Sequence, residues 1–387
     1  MSITRDRAFW TIALQLSAVN FFMGGFGPAQ PLLRAEQHTS LAIAGLHGTA
    51  LGVAAIFAGM AAPKLVHTFG RSLTAWLGLA VFCIGGLGFI FAPPVQITLL
   101  AILICGFGIS VVINSMVTQL SQHFGAKAGQ AVSQAAAIGS VGYVLGTLTV
   151  GTIANTSISW RLGLVIIAPF SIVLYLLNRN KVGAELDIEA AKQQGGSLSS
   201  KFWFAWIGFV ACISSEFATT FWSAALLRDR SGSSAAISTI CVVAFGVGMG
   251  TGRWFGPRWL RKIELDRQIK AMMIVQLIGF SVLWSSHVLW ISLVALFANG
   301  IGLAMQFGLI SLRLIGFSDG RPDLAIGQSS LGAGLAIGGA PFLLGLIGDH
   351  LGISRAYLMV PLLVIISMGM IFLVPSESTS EKMSHEL

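Results

Sequence analysis

The chain has 387 residues, of which 55% are hydrophobic and only 10% charged, and its mean hydropathy is +0.82. A water-soluble domain of this length needs far more polar surface. The formal net charge of +8 is not gathered on any soluble face, which excludes a nucleic-acid partner.

In chain order, twelve apolar runs are predicted to cross a membrane as helices: 8–31, 41–62, 73–92, 96–120, 130–154, 162–178, 202–226, 235–254, 269–285, 289–312, 328–348 and 356–374. Each approaches the roughly 20 residues a helix needs to span the hydrocarbon core. Lipid offers no partner for unpaired backbone groups, so the runs read as helices and the chain as an all-α membrane protein. Met1–Arg7 carries a positive flank, but the run behind it is too long for a signal-peptide core and no A-x-A pattern follows. It is read as an uncleaved first helix. With both termini in the cytoplasm, eighteen Lys and Arg fall on the inner side and five on the outer side. That bias sets the orientation in the cytoplasmic membrane, with anionic inner-leaflet lipid as the partner of the excess charge.

One polar stretch interrupts the pattern. Asn178–Ser200 reads NRNKVGAELDIEAAKQQGGSLSS, a linker with a candidate surface helix over Glu185–Gln194. It divides the chain into a first six-helix bundle (1–178), a cytoplasmic linker (179–201), a second six-helix bundle (202–375) and a polar tail (376–387). The two halves echo each other. AIGSVGYVLG at 137–146 aligns with AIGGAPFLLG at 336–345, each in the penultimate helix of its half. Ala62-Pro63-Lys64 matches Gly256-Pro257-Arg258, and Arg161 and Arg355 each open a last helix. Together these echoes indicate duplication of a six-helix unit. Cys83, Cys105, Cys212 and Cys241 all lie inside apolar runs, with the spacing of neither a disulfide framework nor a metal site.

Twelve spans, a central linker and a six-helix repeat resemble the major facilitator superfamily. The segment after the second helix supports the resemblance. The family pattern there is G-x-x-x-D-R-x-G-R-R, and Pro63–Ser72 keeps Gly70 and Arg71 while placing His67 at the Asp position. The resemblance implies two bundles rocking about a central site near the bilayer midplane, with His67, Gly70 and Arg71 at a cytoplasmic gate. It also implies that the first, fourth, seventh and tenth helices line the cavity, which assigns Asn20, Asn114, Glu216, Asn299 and Gln306 to it.

Glu216 is the acidic residue that sits deep within a run, about fifteen residues into 202–226. A carboxylate at the bilayer centre is costly unless protonated, paired or facing water. It is the candidate proton-coupling residue, bordered by Thr219 and Thr220 at i+3 and i+4 and followed by Trp222. One acid, few amides and many aromatics, with no basic residue reading as deep in any run, make the expected cargo a small lipophilic or cationic solute, and the expected direction is outward against protons. The alternative is an importer or facilitator of a small neutral or amphiphilic solute. An enzyme or receptor is the distant alternative. The apolar runs hold no His-His-Glu cluster and no paired carboxylates, and the sequence has no G-x-x-x-x-G-K-S/T. The expected partners are therefore a small-molecule substrate, protons and membrane lipid. No cofactor or metal is expected, and the chain is expected to act as a monomer.

Overall fold

The computed structural model describes residues 3–178 and 197–376. The candidate linker helix over Glu185–Gln194 and nearly all of the 376–387 tail lie outside the described residues. The first half comprises α1 (Arg7–Phe26), α2 (Gln30–Gln37), α3 (Leu41–Phe69), α4 (Arg71–Phe91), α5 (Val95–Phe124), α6 (Ala128–Ile153) and α7 (Ile167–Asn178). The second comprises α8 (Ser200–Ser231), α9 (Ala235–Cys241), α10 (Val243–Trp259), α11 (Leu265–Ser285), α12 (Leu289–Leu303), α13 (Gln306–Gly316), α14 (Pro322–Leu351), α15 (Ile353–Ala356) and α16 (Met359–Leu373). These make twelve helical passes long and apolar enough to cross a membrane. Several helices run past the apolar stretch that announces them. The second pass continues from residue 62 to Phe69, and the seventh from residue 226 to Ser231.

Local chemistry explains the starts and breaks. Asp6, Ser40, Ser199 and Ser234 cap α1, α3, α8 and α9 by accepting from the backbone N–H three residues on. The first pass breaks at Gly27-Pro28, where proline withholds a backbone donor, and Pro31 opens α2. Gly70 alone joins α3 to α4, at φ 74° and ψ 163°, a conformation that favours glycine. Pro63 and Pro257 both lie inside the helix of a second pass, near its end, as their echo in the sequence suggests. The third echo is one of position only, since Arg161 is buried and Arg355 is exposed.

An even number of passes puts both ends of the described chain on one face, here the terminal face. The core differs between the two faces. Toward the far face one apolar cluster joins the halves, packing Phe22, Phe26 and Phe89 with Phe221, Trp222 and Phe245. Toward the terminal face there are two separate clusters. One holds Phe9, Leu16, Met116 and Leu120, and the other Phe202, Phe209, Ile310 and Leu314. The apolar core is therefore continuous across the halves at the far face and split between them at the terminal face. Polar contacts agree: Asp349 of α14 accepts from the N–H groups of Leu41 and Ala42 at 2.7 and 2.8 Å, and Thr239 donates to the Pro28 carbonyl at 3.3 Å.

Small residues permit the closest crossings. A Cβ on Gly52 of α3 would strike the backbone of Gly334 and Gly338 in α14, so this pair joins the two halves backbone to backbone. Large apolar side chains such as Ile84, Phe91, Trp290 and Phe372 face outward on the peripheral passes, as lipid contact requires.

Candidate functional site

Glu216 lies midway along α8. It keeps partial solvent access although the residues before it, Ser214 and Ser215, and those two to four places after it are buried. Among the described residues its carboxylate takes part in no ion pair. Its counter-charge is Arg253 on α10, whose field acts on it without direct contact. Arg253 reaches across the halves. Its Nη1 donates to Ser140 Oγ of α6 at 3.1 Å, and its Nε donates to the Ala304 carbonyl at 3.2 Å. Ser133 of α6 in turn donates to the Arg253 carbonyl at 2.6 Å. Tyr143, one turn beyond Ser140, is buried against Phe245, and among the described residues its Oη has no hydrogen-bond partner.

This arrangement corrects the expectation that no basic residue lies deep in a run. Arg253 is the next-to-last residue of the apolar run 235–254, and by sequence it counts among the charges of the inner side. The helix, however, continues to Trp259, so Arg253 is not in a loop. Its long side chain points back into the protein. Two further arginines are drawn inside. Arg161 is 1% exposed, pairs with Glu36 at 3.0 Å and stacks over Phe89. Arg313 is 2% exposed and pairs with Asp266 at 2.8 Å.

The residues assigned to the cavity by resemblance, and the expected neighbours Thr219, Thr220 and Trp222 of Glu216, have different surroundings. Asn20 is partly accessible, lies against Gly139 of α6 and makes no side-chain hydrogen bond among the described residues. Thr220 is near-buried beside Gly27, where α1 meets α8. Thr220, one turn from Glu216 on α8, thus meets the first half, while the neighbour of Asn20 is within its own half. Asn114 is exposed on α5. The others are engaged in packing. Trp222 is fully buried and its Nε1 donates to the Pro341 carbonyl at 2.8 Å, tying α8 to α14. Thr219 donates to the Ser215 carbonyl at 2.8 Å. Asn299 is wedged between α12 and α11, against Gly279.

Gln306 belongs to a closed network under Glu216. Cys212 Sγ donates to its Oε1 at 3.1 Å, and its Nε2 donates to Gln276 Oε1 at 2.8 Å. Gln276 Nε2 then donates to Ser215 Oγ at 3.1 Å, and Ser215 Oγ to the Cys212 carbonyl at 2.7 Å. This circuit locks α8, α11 and α13 around the residue next to Glu216. Gln276, which sequence reading passed over, completes it. At the terminal face His67 is exposed in the last turn of α3, and Gly70 and Arg71 form the turn into α4. Gln119 of α5 donates to the Arg71 carbonyl at 3.4 Å.

Comparison with known proteins joins these observations. The fold is similar to that of the xylose transporter XylE of E. coli in a partially occluded inward-open conformation, with TM-score 0.72, 15% identity, and 96% of this chain and 99% of that one covered. It is similar to a bacterial homologue of the human lysosomal transporter Spinster in an inward-facing conformation, with TM-score 0.69, 14% identity, and 96% and 97% covered. It is also similar to the nucleoside transporter NupG, with TM-score 0.72, 14% identity, and 94% and 98% covered. No curated protein matches the sequence. The sequence itself matches the Major Facilitator Superfamily over residues 12–314. The chain therefore belongs to that superfamily, and is a multi-pass membrane transporter of small solutes rather than an enzyme.

Proposed function

We propose that this protein is a proton-coupled secondary transporter of a small organic solute, with Glu216 as the coupling residue. It acts as a monomer by alternating access in the cytoplasmic membrane, with both termini in the cytoplasm. The carrying observation is Glu216, a carboxylate in mid-helix that keeps solvent access and has no direct ion-pair partner among the described residues. Such a group at membrane depth is costly unless it exchanges protons with water. The positive-inside count makes the terminal face cytoplasmic, and the parted terminal-face cores then correspond to an inward-facing state. The turn at Gly70 and Arg71, with His67, forms the gate on that side.

The expectation of a cationic cargo drew, beside one acid, few amides and many aromatics, on the absence of a deep basic residue. Arg253 removes that support, because its charge opposes a cation next to Glu216. The alternative of uptake of an amphiphilic solute gains by the same observation.

The test uses proteoliposomes with an imposed pH gradient and a panel of cationic, neutral and anionic organic compounds. Wild-type protein should concentrate at least one class. Glu216→Gln, which mimics a protonated Glu, should concentrate none while still exchanging solute down its own gradient. A variant that keeps gradient-driven accumulation would remove Glu216 as the coupling site.

A further inference from the structure

We propose that the solute is a small organic acid, bound through its carboxylate by Arg253 with Tyr143 as a hydrogen-bond donor, and that anion and proton cross together. The inference rests on the reading of Glu216 as the proton site. Arg253 uses two of its five N–H donors, on Ser140 and on the Ala304 carbonyl. Three N–H donors are left over, a fork that suits a planar carboxylate. Tyr143 Oη supplies a second, independent sign of a ligand. It is buried, lacks a partner among the described residues, and belongs to the turn of α6 after Ser140, which receives Arg253. A buried hydroxyl left unsatisfied is costly, and a bound acceptor would relieve that cost.

Charge balance then sets the order of events. The titratable groups facing Glu216 are Arg253 on α10, Tyr143 on α6 and Cys212 one turn earlier on α8. With Glu216 ionised and no solute, its charge offsets that of Arg253. Protonating Glu216 alone leaves an uncompensated cation in a low-dielectric site, and binding an anion alone leaves an uncompensated anion. Protonation and anion binding together restore neutrality. Each therefore favours the other, as linkage requires. A cationic solute would meet Arg253 instead, and a neutral one would gain nothing from it. The site also spans the halves, since Arg253 and Glu216 belong to the second half while Ser140 and Tyr143 belong to the first. An anion held there senses their relative position.

The test measures binding to the purified full-length protein in detergent. The probes are benzoate and octanoate, with benzamide and benzylamine as neutral and cationic counterparts. Binding is followed by calorimetry and proton uptake by a pH indicator in weak buffer, both well above the titration of the free acids. Wild-type protein should bind a carboxylate probe and take up about one proton per anion, with affinity rising about fivefold or more as pH falls through the titration of Glu216. Glu216→Gln should bind the same probe without proton uptake or pH dependence. Arg253→Gln should lose binding, and Arg253→Lys, which keeps the charge and guards against misfolding, should retain it in weaker form.

Failure of both carboxylates to bind, preference for benzamide or benzylamine, or unchanged binding in Arg253→Gln would overturn the proposal. Carboxylate binding that depends on Arg253 but brings no proton would instead overturn the role given to Glu216 and leave the anion site standing.

Discussion

Arg313 lies near the end of α13 with its guanidinium 2.8 Å from Asp266, stacked over Phe317, and with Nη2 on the Val374 carbonyl. Asp266 also accepts from the Ser376 N–H at 2.8 Å, so one carboxylate joins three parts of the second half. Removing one partner of such a buried pair leaves a charge without compensation, at a cost of about 3–5 kcal/mol. Asp266→Ala should lower the thermal unfolding temperature in detergent by several degrees. Unchanged stability would mean that Arg313 finds another counter-charge. At the opposite face the Arg161–Glu36 pair is shared by Trp160, whose Nε1 donates to Glu36 at 2.9 Å, while Arg161 Nη2 has no partner. His47 behaves as its place in the second run suggests. It is buried, bonded to the Ala44 carbonyl at 3.1 Å and to Thr98 Oγ1 at 3.0 Å.

Among the elements, the α3–α4 turn is the most economical. A single residue, Gly70, ends one helix and begins the next, and its φ of 74° is strained for any residue with a side chain. Gly70→Val should therefore distort the turn. Because the turn lies far from Glu216, the expected outcome is slower transport with nearly unchanged solute affinity. Asn20→Ala should do the reverse and weaken affinity first. Binding and turnover measured side by side decide it, and loss of affinity with normal turnover in Gly70→Val would place the turn in the binding site. Asn299 is no longer a matched control. Its side chain packs against Gly279 inside the second half, so truncating it tests packing between α11 and α12.

Across the whole molecule, closure of the far face has an identifiable latch. Asp349, at the end of α14, caps the N-terminus of α3 with both oxygens and so joins the halves. Two backbone N–H groups receive the carboxylate directly. Asp349→Ala should weaken this closure and raise the share of molecules open at the far face. The readout is Thr239→Cys, buried in this state beside Pro28. Its labelling by a membrane-impermeant thiol reagent should rise in the Asp349→Ala background. Equal labelling in both backgrounds would show that the apolar contact of Phe26 with Phe221 (ring centroids 5.7 Å apart) holds the face shut unaided.

Twelve membrane helices, the turn at Gly70 and the isolation of Glu216 are legible in the amino-acid sequence, whereas the break at Gly27-Pro28 falls inside the run expected to be continuous over 8–31 and is seen only in the structure. The legible features follow from local rules: apolar length, glycine at positive φ, and the cost of charge in lipid. The partners of the polar groups were decided only by tertiary structure. Nothing in the spacing of Asn299, Gln306 and Trp222 distinguishes a cavity wall from an interhelical bond, because that depends on which face of each helix meets a neighbour. The packing turned Gln306 toward Gln276 and Trp222 toward Pro341. Arg253 is the sharpest case. In the sequence it sits at the edge of an apolar run, where charges belong to the surface. Only the crossing of α6 and α10 brings Ser140 within reach of its flexible side chain and places its charge opposite Glu216.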